Sequence, residues 1–159
     1  MTFNATPNRT GPQPFKPMVI PVGELDTILG QRIGPTSWQH LDQDMIDRFA
    51  AVTGDHQWIH VDRERAAQSL LGSTIAHGYL TLSLIPSLSS QILDVIGVSS
   101  AVNYGLDAVR FLAPVPMDAS LRAFLTVPGT KARASGLLVT RKFYIDLRGR
   151  GRLACHSVS

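Results

Sequence analysis

The stretch from His77 to Val95, HGYLTLSLIPSLSSQILDV, decides the fold that this sequence predicts. Its leucine and isoleucine side chains fall on nearly every side of a helix, and a helix without a polar face is normally buried. Pro86 should kink or split this helix, because proline lacks a donor N–H and its ring clashes with the preceding turn. We therefore predict a buried central helix with a break at Pro86.

The second half of the chain has the two-residue period of β-strands. One side of the predicted strands is apolar except for Arg141, and comprises Leu121, Ala123, Leu125, Val127, Leu137, Val139, Phe143, Ile145 and Leu147. The pattern predicts antiparallel strands joined by short links at residues 100–104, 106–113, 119–128, 135–147 and 151–158. Helices followed by a run of strands indicate an α+β fold with the central helix packed on one sheet face.

The first half of the chain is predicted to form an arm followed by short helices and a strand. Residues 1–21 are rich in proline and lack periodicity, which predicts a flexible N-terminal arm before a single domain over residues 22–159. A short helix over 22–29 and a strand over 37–41 follow. Asp42 should cap a helix that ends at Gly54, with an apolar face formed by Met45, Ile46, Phe49 and Val52. The segment from Asp55 to His60 should then be extended or irregular, before another short helix at 62–67.

Composition excludes several classes of protein. A hydrophobic content of 44% with 17% charged residues is typical of a globular chain and excludes a disordered one. The net charge of +3 is dispersed, and the run from Arg148 to Arg152 is better explained as a hairpin turn, so we expect no nucleic-acid partner. Apolar runs are too short to span a bilayer, and one cysteine cannot form an intrachain disulfide. We expect a soluble cytoplasmic protein without membrane contact.

Asp55 and His60 are the main candidates for chemistry. They lie five residues apart in Thr53-Gly54-Asp55-His56-Gln57-Trp58-Ile59-His60-Val61-Asp62, where a carboxylate and an imidazole could hold one water between them. The N–H of Gly78, at the start of the central helix, could stabilise an oxyanion. Alternatively, Asp55 caps a turn and His60 is an ordinary buried histidine.

A metal site is a third interpretation of this segment. His56 and His60 are four residues apart, and Asp55, Asp62 and His77 are near them in the sequence. The zinc-protease pattern His-Glu-x-x-His, however, has Gln57 at its glutamate position, and Gly54 argues against a continuous helix. We therefore predict no metal.

Four stretches resemble one family. They are residues 53–62, residues 75–81 (Ile-Ala-His-Gly-Tyr-Leu-Thr), and the pair Asn103-Tyr104-Gly105 with Val109-Arg110-Phe111-Leu112-Ala113-Pro114-Val115. They are similar to the MaoC-type dehydratases, the (R)-specific enoyl-CoA hydratases that are also called nodulation protein N-like. This resemblance implies a hotdog fold, in which an antiparallel sheet wraps one long helix, assembled as a homodimer or as paired domains. The C-terminal strand region is short for that family.

The resemblance also implies a reaction and its residues. The reaction is the reversible syn hydration of a trans-2-enoyl-CoA to an (R)-3-hydroxyacyl-CoA, without metal or redox cofactor. Asp55 and His60 match the catalytic pair, and Gly78 matches the residue whose N–H contacts the thioester oxygen. Asp55 would act as base and His60 would bind the same water, while which of them protonates C2 stays open.

Further residues are assigned to substrate binding on weaker grounds: Trp58, which could line an acyl tunnel, His77, Asn103, and Arg110, which could attract CoA phosphates. Each also has an ordinary structural interpretation, as a core anchor or a solvated strand residue. Two other functions fit the same sequence: a non-catalytic acyl-CoA-binding or partner subunit of the hotdog fold, and an acyl-CoA thioesterase.

Overall fold

A computed structural model of the protein describes residues 16–149 and the strand Leu153–Val158. In order, the first half contains β1 (Met18–Pro21), a 3-10 helix (Val22–Ile28), β2 (Arg32–Ile33), β3 (Gln39–Leu41), α1 (Gln43–Thr53), α2 (Trp58–Val61), α3 (Arg63–Ala67), α4 (Gly78–Ser83) and α5 (Ile85–Ser90). The second half contains β4 (Leu93–Ile96), β5 (Ala108–Phe111), β6 (Ala119–Arg133), β7 (Gly136–Leu147) and β8 (Leu153–Val158).

An antiparallel sheet forms the body of the molecule. Its strand order is β2-β6-β7-β8-β5, and β3 also pairs with β6. The short C-terminal strand β8 lies between β7 and β5 and pairs with both, so it joins β5 to the rest of the sheet. Helices α1–α5 and this antiparallel sheet together form the predicted α+β arrangement.

The inner face of the sheet and the helices α4 and α5 enclose the core. Alternate residues of β6 and β7 are buried, as the two-residue period predicts: Leu121, Ala123, Leu125, Val127, Phe143, Ile145 and Leu147. From the helical side, Leu80, Ile85 and Leu88 join the same cluster. The periodicity is thus confirmed over residues 121–127 of β6 and 143–147 of β7, whereas Leu137, near the start of β7, is 41% exposed.

The central helix breaks where proline was expected to break it. α4 ends at Ser83 and α5 begins at Ile85, with Pro86 in the first turn of α5, where its missing N–H has no intrahelical partner to lose. The helix does not continue to Val95, as predicted, because Leu93–Ile96 forms β4 and pairs in parallel with β1. It is also not buried all round, since Tyr79 is 70% exposed.

Three other expectations are corrected. Residues 97–107 form no strand and are exposed, so the strand predicted at 100–104 is wrong. The segment from Asp55 to His60 is irregular only to Gln57, because Trp58–Val61 forms α2. Met18–Pro21, within the predicted arm, pairs with β4, while residues 1–15 of that arm lie outside the described residues.

Basic and aromatic side chains cover the outer face of the sheet. The Arg32 guanidinium lies 3.9 Å from the centre of the Phe124 ring, and those of Arg122 and Arg148 lie 4.6 and 4.8 Å from Trp38. Arg148 begins the link between the antiparallel strands β7 and β8, in agreement with the predicted hairpin. Among the described residues, no helix combines the length and the apolar character that crossing a membrane requires.

Helix α1 allows a matched test of the core. The sequence placed Ile46 and Val52 on one apolar face, but Ile46 is fully buried whereas Val52 is 87% exposed. We expect Ile46→Ala to lower the free energy of unfolding by about 2–5 kcal/mol, because it leaves a cavity. Val52→Ala should change it by less than about 0.5 kcal/mol. Urea denaturation measures both, and equal losses would contradict the burial of this helix.

Candidate active site

Two local signals place Asp55 and His60. Asp42 caps α1 by accepting a hydrogen bond from the Met45 N–H at 2.9 Å, and Gly54 ends the helix in the left-handed conformation with φ of 77°. A loop of four residues then leads into α2. Asp55 lies exposed on this loop, and His60 lies buried on α2.

The surroundings of His60 determine its tautomer. Its Nδ1 lies 2.7 Å from the backbone carbonyl of Ile75, and since a carbonyl can only accept, Nδ1 carries the hydrogen. The Nε2 of the neutral ring is therefore free to accept a proton or a hydrogen bond. Burial lowers the pKa of His60, and the neighbouring His77 lowers it further, against the opposing effects of the Ile75 carbonyl and Asp55.

His77 lies against both members of the predicted pair. Its Nε2 donates to the backbone carbonyl of Asp55 at 2.9 Å, and its ring stacks on the His60 ring with centres 3.7 Å apart. One oxygen or nitrogen atom from each of Asp55, His60 and His77 lies within 4.8 Å of the other two. The fold thus brings together the two side chains that the sequence singled out.

Gly78 borders a cavity of about 250 Å³ beside His60. Other parts of the lining come from Thr81 of α4, Phe111 of β5 and the segment 112–115. A Cβ on Gly78 would lie 2.9 Å from the Phe111 ring, so only glycine allows this ring to approach the start of α4 so closely. The Gly78 N–H is in the first turn of the helix, where backbone donors lack intrahelical acceptors.

The geometry of the two histidines is unsuited to a shared metal ion. A metal ligated by histidine lies near the plane of the ring, about 2.0–2.1 Å from the nitrogen. The planes of His60 and His77 are only 25° apart and their centres are 3.7 Å apart, so one ion at bonding distance cannot lie near the planes of both rings.

The other predicted binding residues are not among those that line the cavity. His77 is 3% exposed behind His60, and half-buried Trp58 packs under the Arg65 guanidinium, so both support the loop instead of lining the cavity. Arg110 is exposed and donates to the carbonyl of Val109; since neighbours on a strand face opposite sides, it points away from Phe111 and the cavity. Asn103 lies in the exposed segment 97–107, where its role in binding stays a prediction.

Sequence reasoning missed a buried polar support beneath His60. The Gln43 side chain of α1 donates to the His60 carbonyl at 2.7 Å and to the Asp47 carboxylate at 2.8 Å, and it accepts from the hydroxyl of buried Thr74. A polar residue in the first turn of a helix suggests solvent exposure. The spacing of Gln43 could have indicated its burial, because Gln43 lies on the same side of the helix as buried Ile46 and Ala50.

Comparison with known proteins identifies a family and supports the fold. The family model described as MaoC like domain matches residues 24–143. The 3-hydroxyacyl-thioester dehydratase Z of Mycobacterium tuberculosis is 42% identical over 135 residues, covering 84% of this chain and 89% of the relative. Nodulation protein N of Rhizobium leguminosarum is 40% identical over 121 residues, covering 75% of each.

A solved structure supports the same fold. The (R)-hydratase from A. caviae involved in PHA biosynthesis has a TM-score of 0.66 and 25% identity, covering 82% of this chain and 92% of that chain. Together with the sheet around α4 and α5, this likeness confirms the predicted single hotdog domain.

The lowered pKa of His60 predicts how stability depends on pH. Below the ordinary histidine value of about 6.5, the unfolded chain binds a proton at this position more readily than the folded chain. Folding should therefore lose stability as pH falls from about 6.5 through the lower pKa of the folded state. We expect the free energy of unfolding to drop more between pH 7.5 and 5 in the wild type than in His60→Gln. Parallel pH dependences would contradict the buried, neutral state of His60.

Proposed function

We propose that this chain, which belongs to the MaoC-like dehydratase family, catalyses the reversible hydration of a trans-2-enoyl-CoA to an (R)-3-hydroxyacyl-CoA. The observation that carries the proposal is the proximity of the Asp55 carboxylate and the His60 imidazole. His60 and Gly78 border one cavity, so a substrate carbonyl at Gly78 would have its reacting carbons near the pair.

The two side chains suit the binding of one water. The free Nε2 of His60 and the Asp55 carboxylate are both acceptors, so one water can donate a hydrogen to each. Its oxygen lone pairs are then directed away from the pair, toward C3 of a bound enoyl group. As the O–C3 bond forms, one acceptor takes a proton from the water, and the pair passes a proton on to C2 from the same side, so that the pair ends the step with as many protons as it had at the start. Addition from one face is the syn stereochemistry.

The electrons of the double bond need a temporary acceptor during this step. They move toward the thioester oxygen when C3 is attacked and return to form the C2–H bond. We assign stabilisation of that oxygen to the Gly78 N–H, a type of contact worth roughly 3–4 kcal/mol of barrier. The reaction neither oxidises nor reduces the substrate overall, so no redox cofactor is part of the proposal.

We also propose that the protein works as a homodimer. Among the described residues, β5 pairs with β8 alone, which leaves its other edge available to a second chain. Large apolar side chains beside that edge are exposed, namely Tyr79, Phe111 and Leu112. A second copy that covered this edge would also enclose the cavity. The single cysteine is consistent with the cytoplasm as the location.

Substitution of the pair tests the reaction. Asp55→Asn and His60→Gln should each lower kcat at least about 100-fold, because each removes an acceptor for the water's protons. The measurement is the loss of enoyl absorbance when crotonyl-CoA, or a longer enoyl-CoA, is added to the protein. Asp62→Asn, in the cap of α3, and His56→Gln, on the exposed loop, are matched controls that should retain activity.

Other outcomes of this assay identify other functions. Full activity in Asp55→Asn or His60→Gln would reject the assigned roles. Release of free CoA thiol by the wild type would indicate a thioesterase. Calorimetric binding of acyl-CoA without turnover would indicate a non-catalytic subunit.

A second test separates packing from catalysis at Gly78. Gly78→Ala should lower both Tm and kcat, because the new methyl group meets the Phe111 ring and obstructs approach to the backbone. Adding Phe111→Ala makes room for the methyl group and should recover much of the Tm. If the N–H of Gly78 binds the thioester oxygen, kcat should stay below that of Phe111→Ala alone. Equal kcat in those two proteins would contradict a close approach of the substrate to the backbone at Gly78.

A further inference from the structure

We infer that His77 is a positioning residue that holds Asp55 and His60 in their working geometry without touching the substrate. The inference rests on the proposed function, because it concerns the same pair of side chains. It replaces the expectation, drawn from the sequence, that His77 binds substrate. Three observations support it: one hydrogen bond, one ring contact, and the burial of both ring nitrogens.

The hydrogen bond ties the Asp55 loop to the start of α4. Other hydrogen bonds of Asp55 and His56 in the described residues stay within residues 53–57 and are long, at 3.2–3.5 Å. The bond from His77 Nε2 to the Asp55 carbonyl is 2.9 Å and crosses 22 positions of sequence. Without it, this exposed loop would lose its link to the element that carries Gly78.

The ring contact restrains the face of the His60 ring, whereas the hydrogen bond restrains an edge. The Ile75 carbonyl fixes one edge of the His60 ring, and the face of His77 lies on it with centres 3.7 Å apart. Phe49 of α1 packs against His77 in turn, at 5.0 Å between ring centres. The imidazole of His60 therefore has little freedom to rotate, and its Nε2 stays directed toward the site.

The nitrogens of His77 are both withdrawn from the cavity. Nε2 is bonded to Asp55, and Nδ1 is buried without a partner among the described residues. His77 is also absent from the lining of the cavity. The side chain is therefore placed to orient the reacting groups and not to exchange protons with substrate.

His77 also affects the protonation of His60. It lowers the pKa of His60 through space, whereas Asp55 raises it. From α1, the group that reaches His60 is the neutral amide of Gln43, whose Nε2 also bonds Asp47. The segment around Ile75 and Val115 presents no charged side chain to it. Replacement of the His77 imidazole should therefore raise the pKa of His60.

Two substitutions separate the two contacts of His77. His77→Phe keeps a ring against His60 but loses the donor to Asp55, whereas His77→Gln keeps a donor amide but loses the ring. We expect kcat to fall on the order of 10- to 100-fold in His77→Phe, since small displacements of a catalytic group have effects of this size, with a smaller fall in His77→Gln. KM should change little, because His77 does not touch substrate.

The pH profile of activity supplies a second readout, and a variant that only loosens packing serves as its control. In the wild type, activity should decrease as His60 takes up a proton at low pH. Both His77 variants should move this acidic limb to higher pH. Phe49→Leu is the control: it loosens the packing behind His77, so it should lower Tm but leave the acidic limb in place.

Failure of this inference can be distinguished from failure of the proposed function. Wild-type kcat and an unmoved acidic limb in both His77 variants would overturn the inference, as would an equal movement in Phe49→Leu. If the wild type hydrates no enoyl-CoA, the proposed function fails, and the inference is then tested by NMR titration of the His60 ring. A higher pKa in the His77 variants supports it, and an unchanged pKa overturns it. Should His77→Phe fail to fold, His77→Gln gives the same titration.

Discussion

The hydrogen bond between His60 Nδ1 and the Ile75 carbonyl is the interaction on which the site depends. Ile75 is bound to α2 in both directions, because its own N–H donates to the Ile59 carbonyl at 3.0 Å. The next residue, Ala76, donates to Val115 at 2.7 Å, so the segment is held between α2 and the polypeptide that leads into the sheet. His77 and Gly78 follow directly. The same few bonds thus set the tautomer of His60 and the position of α4.

This arrangement gives the two candidate side chains different environments. His60 is buried and rests on the Gln43 and Thr74 side chains, whose polar atoms satisfy one another. Asp55 is exposed on a short loop and is reached from the protein interior by His77. A rigid imidazole and a more accessible carboxylate can share one water. In this interpretation, the interior of the protein orients the pair and the cavity admits the substrate.

The division between what the sequence predicted and what it missed follows the range of the interactions. Periodicity located β6 and β7, capping residues located α1, and Pro86 marked the break between α4 and α5, because these are local properties of the chain. Periodicity failed for Leu93–Ile96, because this segment pairs with the distant strand β1 instead of continuing the helix. It also failed for residues 100–104, which have β-like composition but pair with no strand among the described residues. Val52 was misplaced for a similar reason, since the width of a buried helical face depends on what covers it.

The sequence by itself determined the candidate residues for chemistry, because Asp55, His60 and Gly78 stand out by type and spacing. It also determined the fold class, because the pattern of helices and strands predicts an α+β domain. The tertiary structure decided which other side chains contact these candidate residues. It buried His77 against both partners, placed Gln43 beneath His60, brought Phe111 onto Gly78, and turned Arg110 to the other side of β5. These contacts join positions up to dozens of residues apart, and their directions depend on helix packing and strand register, which no local pattern encodes.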